Sequence, residues 1–100
     1  MTQDFLEILA AHEVTARSKQ QAARFMFGER TASHEAASMF NDEVRSSFEA
    51  FASVQRNISD HCHMDHALVE KSEEIAERFL RLLSAIQEYI VSISADAERA

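Results

Sequence analysis

Apolar residues recur at alternating spacings of four and three along most of the chain, from Phe40 to Ile93. This spacing places successive apolar side chains on one side of a helix, so it predicts amphipathic helices whose apolar stripes pack against other helices. A few positions in the same register carry polar residues instead. The register comprises Phe40, Val44, Ser47, Phe51, Val54, Ile58, His61, Asp65, Leu68, Ser72, Ile75, Phe79, Leu82, Ile86, Tyr89 and Ile93.

The polar residues His61 and Asp65 interrupt the stripe and leave two all-α architectures open. In the first, the segment around them is a turn, and the chain is an antiparallel three-helix bundle that forms a single helical domain over residues 1–100. In the second, residues 34–95 form one long coiled-coil helix, which at about 1.5 Å per residue would extend roughly 90 Å. The bundle is the preferred prediction. Its helices are expected over about 3–27, 33–58 and 65–95.

Residues with distinct backbone preferences mark the predicted helix ends. Gly28 is expected to end the first helix in a left-handed C-terminal cap, because glycine adopts this conformation without strain. Thr31 or Ser33 is expected to cap the second helix, and Ser59 or Asp60 the third. The oxygens of these side chains can accept hydrogen bonds from the unpaired amides of a first helical turn.

The apolar stripe is also the candidate interaction surface. It forms either the protein's own core or a surface that becomes buried only against a partner helix or an apolar interface. His61 and Asp65 would form a polar register layer within a continuous helix. If buried, that layer would respond to pH near about 6, where histidine gains its charge. The candidate interaction residues are Phe40, Val44, Phe48, Phe51, Val54, Ile58, Leu68, Ile75, Phe79, Leu82 and Ile86.

Composition and charge narrow the classes of function. The chain has no proline and one glycine, so the tight turns of a β-sheet are not expected. Its formal net charge of −7 makes nucleic acid an unexpected partner, because phosphate binding needs a basic face. A lone cysteine, Cys62, suits a reducing cytoplasm, and neither a signal peptide nor an apolar run of about 18 residues is apparent. We therefore expect an acidic, cytoplasmic protein without a transmembrane segment.

Metal ligands cluster in the sequence only at SDHCHMDH, residues 59–66. Cys62 and His66 lie four residues apart on one helical face, but a structural zinc site needs four ligands from two elements. The distant His12 and His34 have no second ligand at suitable spacing. Cys62 likewise lacks an evident base and oxyanion site. We expect no metal, no cofactor and no catalytic residue, and therefore a non-enzymatic protein.

Residues 33–51, SHEAASMFNDEVRSSFEAF, carry a family resemblance. The features are a Glu35-Ala36 pair, an acidic and apolar middle that ends in Val44-Arg45, and Phe48-Glu49-Ala50 followed by Phe51. In these features the stretch resembles phasins, the small helical proteins that coat polyhydroxyalkanoate storage granules in bacteria. The resemblance implies a cytoplasmic, oligomer-forming protein without enzymatic activity, whose apolar stripe contacts polymer.

A second class of function also suits the size and acidity of the chain. Helical secretion chaperones, and the small helical-hairpin proteins of the WXG100 group, act through protein–protein contacts. The chain departs from the WXG100 group at two points: the Trp-x-Gly turn is absent, with only Phe27-Gly28 in a comparable role, and the residue four after Tyr89 is Ile93 where the group's tail signal has an acid. The expected function is therefore that of an amphipathic helical interaction protein. It would bind a storage-granule surface or itself, or alternatively a helical protein partner.

Overall fold

The computed structural model describes the backbone of residues 2–99 and the side chains of residues 4–99. Three helices and no strands occupy this range: α1 spans Thr2–Gly28, α2 spans His34–His61 and α3 spans His66–Arg99. Helix α2 runs antiparallel to the other two, and the molecule measures 55 × 19 × 17 Å. The predicted three-helix bundle is confirmed. The alternative of one continuous helix over 34–95 is wrong, because the chain turns between α2 and α3.

The connection between α1 and α2 confirms one predicted cap and corrects another. The Ser33 side chain accepts a hydrogen bond of 3.1 Å from the amide of Ala36, so Ser33 caps α2. Helix α1 ends at Gly28 as expected, yet the left-handed residue is Arg30, with a φ of 55°. Gly28 is therefore not the left-handed cap. The turn is closed instead by a 3.1 Å hydrogen bond from the Arg30 amide to the Phe27 carbonyl.

The connection between α2 and α3 lies slightly later than predicted. Helix α2 continues through Ser59 and Asp60 to His61, so neither of the first two residues caps the third helix. The cap is Asp65, whose Oδ1 accepts a 3.1 Å hydrogen bond from the amide of Leu68. An aspartate that satisfies a first-turn amide stabilises a new helix start, and this explains why the chain turns here instead of continuing as one helix.

The core is one continuous cluster along the bundle axis. Helices α2 and α3 pack most extensively against each other, while α1 rests mainly on α3 and touches α2 least. The buried hydrophobic members are Leu9, Ala16, Ala23, Ala37, Phe40, Val44, Phe51, Ile58, Leu68, Ile75, Phe79, Leu82, Ile86 and Tyr89. Helices α2 and α3 thus supply every buried aromatic ring, whereas α1 supplies one leucine and two alanines.

Candidate interaction site beneath helix α1

The residues predicted as an interaction surface lie almost entirely in the protein's own core. Nine of the eleven are buried, with exposures of 0–6 %. The other two, Phe48 and Val54, are half-buried and pack against that core. Of the two roles that the sequence left open for this stripe, these residues occupy the core in the structure. Apolar side chains of this spacing cover one another whenever the chain can fold back, and the turn before Asp65 allows it to do so.

The predicted polar layer does not form either. His61 is exposed at the last residue of α2, and Asp65 is occupied as the cap of α3. A buried register layer requires both groups to lie between packed helices, and here they flank a turn at one end of the bundle. His61 and Asp65 therefore have a local structural role and do not form a pH-sensing layer.

The side of the α2–α3 hairpin beneath α1 is rich in aromatic rings. Phe51 and Phe79 stack with ring centroids 5.8 Å apart, and Phe40 lies on the same side, nearer the start of α2. We call this side the covered face. Its members are Phe40, Val44, Phe51, Ile75, Phe79, Leu82 and Ile86. In isolation the hairpin would expose a broad apolar surface to water, so α1 has to cover it.

Helix α1 covers this face with few fully buried side chains, and the larger Phe5, Met26 and Phe27 are only half-buried against the core. Its buried residues Leu9, Ala16 and Ala23 follow one another at intervals of seven, so they lie on the same side of the helix. Half-buried His12 places its ring edge against Phe51, with centroids 5.5 Å apart. Burial contributes about 0.8 kcal/mol per methylene-sized group, so two alanines hold a helix much less firmly than two leucines would. The fully buried side chains in the middle of α1 therefore contribute little apolar area, and Lys19 and Gln20 add polar contacts there to Glu43 and Arg78.

The C-terminal end of α1 and the loop after it are firmly attached to α3. The Phe27 ring stacks on Tyr89 at 4.4 Å, and the Tyr89 hydroxyl donates a 2.6 Å hydrogen bond to the carbonyl of Ala32. Arg30 donates hydrogen bonds to Ser92 at 2.7 Å and to Asp96 at 3.1 Å. These contacts account for the left-handed Arg30, because they fix the loop against α3. We call the segment from Phe27 to Ala32 the anchored end.

The N-terminal half of α1 is held by contacts that respond to charge. Lys71 Nζ of α3 lies 2.6 Å from Glu13 Oε2. This hydrogen bond holds the pKa of the Glu13 carboxyl below its ordinary value and raises the pKa of Lys71. Burial beside the rings lowers the pKa of His12. Protonation of either His12 or Glu13 therefore weakens the docking of this half of α1 on α2 and α3. We call the N-terminal half of α1 the free end.

No alternative chemical site competes with this one within the described residues. In residues 4–99, no three His, Cys, Asp or Glu side chains come together in a group that could hold a metal ion. Cys62 is half-buried beside the turn and forms no disulfide. None of the described helices is long and apolar enough to cross a membrane.

The sequence pattern predicted the residues of this face as an interaction surface, but it did not predict that helix α1 covers them. The signal was present in the series Leu9, Ala16 and Ala23, whose spacing of seven marks a helix side that packs closely while burying little area. The pairing of Glu13 with Lys71 joins residues that are far apart in the chain, and no local pattern indicates it.

Comparison with known protein families, with curated proteins and with solved structures finds no match for this chain. The resemblance of residues 33–51 to phasins is neither supported nor opposed by these comparisons. Functional inference therefore depends on the geometry of the covered face.

Proposed function

We propose that this is a non-enzymatic helical interaction protein that binds the apolar surface of a cytoplasmic storage granule in the manner of a phasin. The observation that carries the proposal is the mismatch between the covered face and its cover. Large rings of α2 and α3 lie beneath a helix that fully buries only Leu9, Ala16 and Ala23, while Phe5, Met26 and Phe27 pack against the core half-buried. Binding requires the free end of α1 to lift while the anchored end holds the chain together.

The energetics of such an exchange are favourable on an apolar surface. Lifting α1 in water exposes Phe51, Phe79 and their aliphatic neighbours, and each fully buried large side chain contributes about 1.5–3 kcal/mol. Against a hydrophobic polymer these side chains are buried again, over a broad and nearly flat area. The surface then replaces Leu9, Ala16, Ala23 and the half-buried apolar side chains of the lifted part of α1 as the covering material. Amphipathic helices bind lipid-like interfaces through the same exchange.

The phasin-like stretch and the covered face coincide in the structure. Residues 33–51 form the cap and about the first two thirds of α2, and this segment supplies Phe40, Val44 and Phe51 to the covered face. A granule surface is favoured over a single helical partner because the stretch that resembles phasins supplies part of this face.

The test is to cross-link α1 to α3 so that its free end cannot lift. In a Cys62→Ser background, Glu13→Cys and Lys71→Cys place thiols at positions whose native side chains touch, so a short bismaleimide can join the free end to α3. Partition onto polyhydroxybutyrate particles is then measured by sedimentation. We expect the unlinked protein to bind and the linked protein to remain in solution, because the covered face stays closed.

The matched control links the other end. Arg30→Cys with Asp96→Cys receives the same linker at the anchored end, where the native side chains lie 3.1 Å apart. This link should leave binding unchanged, since the proposal keeps that end attached. If the protein that is linked at the free end binds the particles as well as the control does, the proposal is contradicted. Loss of binding with both links would also contradict it, because modification itself would then be the cause.

A further inference from the structure

The seam between α1 and α3 contains an open groove whose walls are mainly apolar. It encloses about 450 Å³, which lies in the size range of small-molecule sites. Ala23 and Phe27 of α1 and Leu82 and Ala85 of α3 line it. Ala23 and Leu82 are buried and form its base, and Phe27 is half-buried because its ring also stacks on Tyr89. We call this the seam groove. Its walls suit a hydrocarbon chain.

Two arginines line the seam groove, one from each helix, and no acidic residue lines it. Arg24 of α1 is exposed and belongs to no ion pair within residues 4–99. Arg81 of α3 is also exposed and pairs with Glu77, which stands one turn earlier on α3 and outside the groove. An arginine fork can hold both oxygens of one carboxylate. The groove therefore offers one unpaired guanidinium beside a second whose partner is an exposed carboxylate.

The neighbouring charges leave this region positive. Arg78 donates a 3.2 Å hydrogen bond to Gln20 at the edge of the groove. At the other end, neither Glu29 nor Glu88 lines it, and Glu88 instead lines a groove between α2 and α3. The region contrasts with the net charge of −7 of the whole chain, so it favours an anion. The seam groove and the charged cluster that adjoins it carry five bases, Arg17, Arg24, Lys71, Arg78 and Arg81, and three acids, Glu13, Glu74 and Glu77.

We propose that the seam groove binds the carboxylate form of a straight-chain fatty acid. The carboxylate lies between Arg24 and Arg81, and the hydrocarbon chain runs over Leu82 toward Gly28. This direction keeps the negative head away from the C-terminal carbonyls of α1, whose dipole would repel it. From Gln20 to Gly28 the groove is about 12 Å long at 1.5 Å per residue, which matches a zigzag chain of about ten carbons with bonds of about 1.5 Å.

A bound carboxylate would join α1 to α3, because each helix supplies one arginine and one side of the apolar wall. It therefore stabilises the folded bundle with α1 docked. A single carboxylate fits better than a polyanion, since Glu77 stands beside Arg81 and repels further negative charge. The inference does not depend on the proposed function, because the groove exists while α1 is docked and no lifting is required.

The experiment compares two amphiphiles that have the same hydrocarbon chain and opposite charges. Decanoate and decyltrimethylammonium are titrated separately into the full chain, below the concentrations at which they form micelles, and amide chemical shifts are followed by NMR. Decanoate should bind at least tenfold more tightly, although the net charge of −7 favours the cation. Octanoate should bind about tenfold more weakly than decanoate, because two fewer methylenes are buried. Equal binding of the two amphiphiles, or a preference for the cation, overturns the proposal.

Three variants locate the site. Arg24→Gln should weaken decanoate binding about tenfold, whereas Arg45→Gln, which removes an arginine from the groove between α2 and α3, should leave it unchanged. Gly28→Leu should abolish binding, because a Cβ there meets no atom within 4 Å and its side chain can occupy the groove. Gly28 does not have a positive φ, so the substitution is not strained, and circular dichroism checks that each variant is folded.

Two further outcomes overturn the proposal. Equal losses in Arg24→Gln and Arg45→Gln would show that decanoate responds to overall charge. Unchanged binding by Gly28→Leu would show that the ligand lies on another surface of the chain. Partition onto polyhydroxybutyrate particles is measured separately, so failure of the proposed function does not alter this result.

Discussion

Truncation of Leu9 to alanine is expected to release the free end of α1 while the rest of the bundle stays folded. Leu9 is 1 % exposed and is the only large side chain that α1 buries fully within the described residues. Leucine-to-alanine changes at such sites destabilise by about 2–5 kcal/mol. The two buried alanines contribute about 0.8 kcal/mol each, so Leu9 provides most of the fully buried attachment of this helix.

The magnitude translates into a measurable change in local opening. A loss of about 3 kcal/mol raises the population of the lifted state roughly 100-fold, since each 1.4 kcal/mol is a factor of ten. Backbone amides in residues 5–16 should therefore lose about two orders of magnitude of hydrogen-exchange protection. Amides near Phe27 should keep theirs, because the stack on Tyr89 at 4.4 Å remains.

A matched control distinguishes local from global loss of stability. Ile58 is 1 % exposed and lies outside the covered face, and Ile58→Ala removes a side chain of similar size. This variant should lower protection throughout α2 and α3 as well as α1. If Leu9→Ala lowers protection equally in all three helices, the bundle opens as one unit, and the reasoning about a free end that lifts separately is wrong.

Three further expectations follow from individual contacts. The pKa of His12 is lowered by burial and that of Glu13 by its hydrogen bond, so a lifted α1 binds protons more readily than a docked one. Docking of the free end is then fully stabilised above about pH 6.5, and it weakens as the pH falls, first because His12 is protonated and below about pH 4.5 because Glu13 is protonated. Hydrogen-exchange protection of the free end at pH 5.5 and at pH 7.5 measures this change. The variant His12→Phe should show the same protection at both pH values. Asp65→Ala should lower the free energy of unfolding by about 1 kcal/mol in urea titrations, whereas Asp65→Asn, which keeps a capping oxygen, should lower it less. Equal losses in the two variants would show that Asp65 does not cap α3. Tyr89→Phe should also cost about 1 kcal/mol, because the carbonyl of Ala32 loses its donor, and no change in the melting temperature would contradict that role.

The bundle could be predicted because its determinants are local. The stripe from Phe40 to Ile93 fixes which sides of α2 and α3 pack, and Ser33 is recognisable as a cap from its position before an apolar run. The second turn was harder to place. Ser59, Asp60 and Asp65 can all cap a helix, and only the packed structure shows which one does.

The candidate site was less predictable because it depends on contacts between distant residues. A heptad stripe looks the same whether it forms a core or a binding surface, and the difference lies in how firmly α1 covers it. The attachment of Arg30 to Asp96 and of Glu13 to Lys71 arises only when the helices are docked.

The most direct measurement of the central claim is hydrogen exchange of the protein bound to polyhydroxybutyrate particles, compared with the protein in solution. The account predicts that amides in residues 5–16 lose protection on binding, while those of α2, α3 and the anchored end near Phe27 stay protected. Unchanged or increased protection of residues 5–16 in the bound protein would show that α1 does not lift, and would contradict the proposed mode of binding.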